Sequence, residues 1–286
     1  MSLWYAFINT VLPFQWLEPN FMKNALLAML VAAPLFGALG SFVVSNKMSF
    51  FSDAIGHSAL TGIAFGVLLG IRDPLIAMVG FSLTLGFAII TVKTRGKSSA
   101  DTIIGVFSST SVALGIVLLS ATGNFARYQK YLIGDILSIT PQEILLLAVV
   151  AAGAATLWVA MYNKMLLANL HRTLAKSRGI RVFATEQLFA LLTALIVTIA
   201  IRWTGLLIIN ALLVLPAAAA RFVTRSSRGY LLVAILISLL SSVVGLAASY
   251  YLGAASGATI VLVNGAIFLI CLVAGTLRRG YTCNIT

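Results

Sequence analysis

An aspartate and a histidine, Asp53 and His57, stand four residues apart in the stretch SDAIGHSALTG, inside an apolar run almost free of other charge. Carboxylate and imidazole are ligands for first-row transition metals, and two of them on one element can be completed by another helix or by water. The same groups can relay protons, or they can hydrogen-bond and hold two helices together. At about 100° per residue, four steps along a helix bring both side chains to nearly one face, and Thr61 follows one turn on. With a helix start near Met48, Asp53 lies roughly 7–8 Å and His57 roughly 13–14 Å along the axis, toward the middle of a core about 30 Å thick. An aspartate there costs about 2.5–3.5 kcal/mol on insertion scales, so it must face the bundle interior or an aqueous path.

The elements that must position this pair are membrane spans. The chain has 286 residues, 60% hydrophobic and 9% charged, with a mean hydropathy of +1.05. Soluble domains carry about 45–50% apolar residues, so this composition specifies an all-α polytopic membrane protein. Apolar runs fall near Phe21–Val44, Ala54–Gly70, Pro74–Val92, Thr102–Ala121, Glu143–Tyr162, Gln187–Ile201, Gly205–Ala220, Tyr230–Leu252 and Gly257–Leu277. That gives about nine transmembrane helices, or about eight if the short runs around IRWTG merge. Basic residues stay on the cytoplasmic side. Lys47, the trio Lys93, Arg95 and Lys97, the run from Lys164 to Arg181, the trio Arg221, Arg225 and Arg228, and the pair Arg278 and Arg279 fall at every second connection. This places the N-terminus outside and the C-terminus inside, with Lys23, Arg72, Arg202, Arg127 and Lys130 as exceptions. The net charge of +12 therefore reads as a topology signal rather than a nucleic-acid footprint, because its clusters lie between spans and not along one face. No basic leader with a small-residue cleavage site is seen, so the first span is expected to direct insertion. Cys271 and Cys283 form neither a disulfide framework nor a zinc-finger spacing.

Two connections are too long for simple turns. Residues 163–186 are basic and repeat Leu166, Leu167, Leu170 and Leu174 at near-helical spacing, which predicts a partly amphipathic cytoplasmic loop. Residues 124–142 mix aromatics with Gly134 and Pro141, which suits an external loop with a short interfacial or re-entrant helix. Residues 1–20 are aromatic-rich and read as an interfacial segment. Enzymatic chemistry finds no footing: Gly96-Lys97-Ser98 mimics the end of a phosphate loop, but Thr91 holds the place of its earlier glycine and no strand precedes it. Nor can a Ser–His–Asp or Cys–His set be assembled. Asp101 reads as a helix cap. The hydroxylated stretch Phe107–Gly115 reads as close helix packing, or as the wall of a pathway. His171, among Arg172, Lys176 and Arg178, reads as a solvated or docking residue.

Six stretches, in this order, carry a resemblance: LGSFVVSNKMSFFSDAIGHSALTGIAFGVLLG, ADTIIGVFSSTSVALG, YLIGDILSITPQE, LAKSRGI, TGLLIINALLVLPAAAARFVT and ASGATIVLV. Together they resemble the permease subunits of bacterial zinc, manganese and iron ABC importers, the ABC-3 type of metal-ion family. The resemblance implies one transmembrane permease domain over 1–286, with a fold related to cobalamin and siderophore importer permeases, in the bacterial cytoplasmic membrane. It also implies a homodimer, two copies of a separate ATPase that alone binds ATP, an extracytoplasmic metal-binding protein, and no permanently bound cofactor. Asp53 and His57 fall on the family's Asp-x-x-x-His pair, which implies a transmembrane site for Zn2+ or Mn2+, with Fe2+ as a third candidate. Thr61 stands where many relatives have proline, and its hydroxyl becomes a candidate to line the path. LAKSRGI matches the coupling helix, implying that Leu174, Ala175, Ser177, Gly179 and Ile180 meet the ATPase. Tyr131, Gly134 and Asp135 would belong to the external gate near the docked binding protein. His171 and Arg172 replace acidic residues that often precede the coupling segment in relatives. Two rivals remain: a proton-coupled secondary carrier with Asp53 and His57 as relay, and a non-transporting membrane scaffold with a structural pair.

Overall fold

Helix boundaries follow from local capping chemistry at the edges of the apolar runs. The computed structural model describes residues 4, 5, 8, 10, 14–71, 73–96, 98–123 and 136–283. Within them the order is α1 (Asn20–Ser45), α2 (Phe51–Leu68), α3 (Pro74–Arg95), α4 (Ala100–Ala121), α5 (Pro141–Leu170), α6 (Arg172–Ser177), α7 (Val182–Val223), α8 (Ser227–Leu252) and α9 (Ser256–Cys283). Short 3-10 turns lie at Gln15–Leu17 and Ile136–Ser138, and no strand occurs among the described residues. Eight of these helices, all but α6, are long and apolar enough to cross a membrane.

At the start of α3, Asp73 Oδ1 accepts from the Leu75 N–H at 3.0 Å and Pro74 occupies the first turn. Thr140 and Glu143 form a capping box for α5: the Thr140 N–H donates to Glu143 Oε2 at 2.9 Å, and the Glu143 N–H to Thr140 Oγ1 at 3.4 Å. The cap of α4 is Ser99, whose Oγ accepts from the Thr102 N–H at 3.2 Å. The role expected of Asp101 is therefore filled two residues earlier, and Asp101 stands in the first turn, where its charge complements the helix dipole.

The short runs around IRWTG are one element of 42 residues, broken at Gly205 by a φ of 74° and ψ of 163° that only glycine adopts without strain. At 1.5 Å per residue α7 holds roughly 63 Å of helix, about twice the thickness of a hydrocarbon core. The break between its arms thus leaves helix enough for about nine crossings in eight elements.

The N-terminal segment, expected to lie in the interface, docks on α1 where it is described. Trp4 Nε1 donates to the Lys23 carbonyl at 3.1 Å and the Tyr5 hydroxyl to Asn24 Oδ1 at 2.8 Å. Lys23, an exception to the charge pattern, is 4% exposed, its ammonium 5.8 Å from the centre of the Tyr5 ring. A cation over an aromatic face offsets part of the cost of that burial.

The chain groups into two compact units, each assembled from separated segments. One comprises 1–44, 135–149 and 203–286. Its core uses small side chains, among them Val44, Ala217, Ala220 and Ala234, and Ser238 Oγ of α8 donates to the Ala33 carbonyl of α1 at 2.8 Å. Lipid gives no hydrophobic drive between helices, so close approach and such bonds hold them. The other unit, 45–134 and 150–202, contains α2, α3, α4, α6, the end of α5 and the first arm of α7.

Candidate functional site

Two helices approach the backbone of α2 and fix its position. A methyl on Gly62 would stand 2.8 Å from the Met78 Cα and 2.9 Å from the Ala77 carbonyl oxygen of α3, and one on Gly115 of α4 would stand 2.9 Å from the Thr61 nitrogen. Thr61 Oγ1 donates to the Ser111 carbonyl of α4 at 2.5 Å, and Thr61 is 0% exposed. Close packing seals the hydroxyl between α2 and α4.

From Phe51 to Ala64 every residue of α2 is buried except Asp53 and His57. The side chains of Asp53 and His57 are 41% and 35% exposed, and both line a cavity of about 690 Å³. The facing wall is α4, with Gly105, Ser108, Val112 and Ala113 along it. Within Phe107–Gly115, Ser111 and Gly115 pack on α2, while Ser108, Val112 and Ala113 border the cavity.

His57 Nε2 lies 3.5 Å from Asp53 Oδ1, beyond the usual 2.7–3.2 Å of an N–H···O bond. Two donors bound at about 2.0–2.1 Å to one tetrahedral ion stand about 3.3–3.4 Å apart. The spacing suits a shared cation better than a locked hydrogen bond. No group of three or more His, Cys, Asp or Glu that could hold a metal gathers among the described residues. The pair therefore offers two donors and leaves the remaining positions to water or another chain. Asp101 borders the same cavity. Sequence reading missed this, because only the packing of α4 on α2 brings residue 101 beside residues 53 and 57.

In the segment matched to coupling, Ala175 is fully buried with Ala168 and Val182, and Leu167 and half-buried Ile180 pack on that cluster. A Schellman turn closes α6: the Ile180 N–H donates to the Ala175 carbonyl at 3.0 Å and the Gly179 N–H to the Lys176 carbonyl at 3.0 Å, with Gly179 at φ 76°. Leu174, Ser177 and Gly179 are exposed. Ala175 instead faces inward, so its side chain anchors the segment rather than offering a contact. Arg172 Nη2 lies 2.9 Å from Glu186 Oε1 at the start of α7, a pair that sequence reading also missed. His171 is exposed and caps α6 without a side-chain bond. Tyr131, Gly134 and Asp135, the expected external gate, lie outside the described residues.

The sequence profile of the ABC 3 transport family matches residues 18–275. This chain belongs to that family. Among ABC 3 relatives, it is 30% identical over 249 residues to the high-affinity zinc uptake system membrane protein ZnuB of Haemophilus influenzae, covering 87% of this chain and 95% of that one. It is 31% identical over 251 residues to the manganese import system permease protein ScaB of Streptococcus parasanguinis, covering 88% and 89%. In three dimensions the ABC 3 chain matches PsaBC from Streptococcus pneumoniae in complex with Fab, with a TM-score of 0.76 and 28% identity over 95% of each chain. The resemblance carried by the six stretches and the all-helical membrane fold both stand.

Proposed function

We propose that this chain is the transmembrane permease subunit of an ATP-driven importer of divalent metal ions, zinc or manganese, with Asp53 and His57 as ligands to the ion in transit. One observation carries the reading: in a helix otherwise buried over Phe51–Ala64, these two side chains face a cavity at a spacing that fits one ion. Two protein donors hold a cation weakly enough for it to leave, as passage requires. Water, or a second copy of the chain in a homodimer, completes the shell. Imidazole suits zinc and carboxylate with water suits manganese; the relatives named for each metal support both cargoes, and ferrous iron is the third.

The cycle is alternating access. Two copies of a separate ATPase dock at α6, and an extracytoplasmic binding protein delivers the ion on the other side. The pattern of basic connections supports α6 in the cytoplasm, the N-terminus outside and the C-terminus inside the bacterial cytoplasmic membrane, an arrangement that needs the two arms of α7 as separate crossings. Reconstituted in vesicles with its ATPase and binding protein, the chain is expected to move zinc or manganese only when ATP is supplied. Uptake driven by a proton gradient in vesicles holding this chain alone would replace the reading with a proton-coupled carrier.

Docking is testable separately. Leu174 is 44% exposed on α6, so Leu174→Glu charges the outward face and leaves the buried side untouched. ATPase recovered by co-purification is expected to fall about tenfold, the effect of losing about 1.4 kcal/mol at a central contact, with membrane insertion unchanged. Undiminished recovery removes Leu174 from the docking surface. Gly179→Glu is a poorer probe, since a side chain at φ 76° strains the backbone whatever it touches.

A further inference from the structure

We propose that Glu186 is a positioning residue for transport, the carboxylate joint through which movement of α6 reaches the helices that carry Asp53 and His57. The proposal rests on the permease reading above and deepens it. Glu186 sits near the start of α7 with its side chain only 15% exposed, and its Oε1 holds Arg172 of α6 at 2.9 Å. Its second oxygen, Oε2, is buried and takes no hydrogen bond from the described residues. Lys93, near the end of α3, lies within Coulombic reach of both Glu186 and Arg172. One carboxylate therefore pairs with Arg172 and lies within Coulombic reach of Lys93, and the three charges belong to three different elements.

Those elements lead to the site. α3 runs from Lys93 back to Ala77 and Met78, where its backbone meets Gly62 of α2, and α2 carries Asp53 and His57. A half-buried charge set is sensitive to the loss of one member, because low dielectric strengthens both the attraction removed and the repulsion left behind. With Glu186 neutral, the repulsion between Arg172 and Lys93 is left uncompensated, and α6 loses its ion pair to α7. The apolar anchor of Ala175 on Ala168 and Val182 remains, so the segment stays folded and available to the ATPase. The joint governs transmission rather than docking.

The test uses the full complex in vesicles, with radiolabelled zinc and manganese ions as probes, and reads ions moved per ATP hydrolysed, per assembled complex. For Glu186→Gln, co-purification of the ATPase and its basal hydrolysis are expected to hold while ions moved per ATP drop at least tenfold. The full sign reversal, Arg172→Glu and Lys93→Glu with Glu186→Arg, inverts all three charges and so keeps each attraction and repulsion between the same elements; this exchange variant is expected to restore the ratio to within threefold of wild type. Wild-type coupling in Glu186→Gln overturns the proposal, as does an assembled exchange variant that stays uncoupled. If Glu186→Gln fails to assemble, a coupled exchange variant still supports the joint, and an exchange variant that also fails to assemble assigns Glu186 to packing and overturns it. Wild-type complex without ATP-driven uptake would strike the permease reading itself, a separate outcome.

Discussion

Metal uptake per assembled complex is expected to fall at least about 100-fold when Asp53 becomes Asn, and comparably for His57→Gln. Removing a group that merely supports a metal ligand already costs about 10–100-fold in affinity or activity, and each of these substitutions removes one of the two donors proposed to hold the ion. Both keep side-chain volume and polarity, so α2 retains its packing. A partly exposed pair with a 3.5 Å separation contributes little as a structural bond, and membrane insertion and ATPase assembly should therefore survive. A structural pair makes the reverse ordering: yield and assembly fall first, and whatever assembles still transports. Radiolabelled ion uptake normalised to recovered complex separates the two. Near-normal uptake by the double variant would end the metal-ligand reading.

The second large effect is on stability. Gly62→Val places its Cβ 2.8 Å from the Met78 Cα and 2.9 Å from the Ala77 carbonyl oxygen, and backbone cannot swing aside as a side chain can. Overpacking of this kind costs about 3 kcal/mol, the upper end of its usual range, which shifts the folding equilibrium more than 100-fold. Gly80 on α3 provides the contrast: nothing lies within 4 Å of a methyl built there. Gly80→Ala should be neutral or should stabilise by about 0.5–1 kcal/mol through helix preference and a less free unfolded chain. Thermal unfolding of the purified protein in detergent reads both. A Gly62→Val protein as stable as wild type would mean that α2 and α3 are not held at backbone contact.

What sequence made legible was whatever depends on neighbours along the chain. The run Phe21–Val44 became α1 at Asn20–Ser45, and Pro74–Val92 became α3 at Pro74–Arg95, because hydropathy and caps act within a few residues. That Asp53 and His57 share one helix face was legible for the same reason, four residues being about one helical turn. The burial of Thr61 was not legible, although it too follows by a turn. Helices cross at an angle, and by Thr61 the face that borders the cavity at Asp53 has been taken by Gly115 and Ser111 of α4. Asp101 and the Arg172–Glu186 pair were hidden for a related reason, since their partners are set by which helix lies beside which. Ala175 shows the limit of matching a motif: the stretch can be aligned, but which of its side chains point inward is decided by Ala168 and Val182.

α2 cannot roll about its own axis. Met78 and Ala77 press on it at Gly62, Ala77 again at Gly66, and α4 at Thr61, so any rotation that turned Asp53 and His57 from one side to the other would first have to prise three backbones apart. Close-packed interiors rearrange as bodies rather than by continuous flow. Under the proposed transport cycle the three helices would travel as one plank, and the outlook of the Asp53–His57 pair would change because the plank tilts while the distance between the two side chains does not. Under that reading the contribution of the pair itself to affinity would stay nearly constant through the stroke, and the work of ATP would be spent on what opens, closes and completes the shell around it.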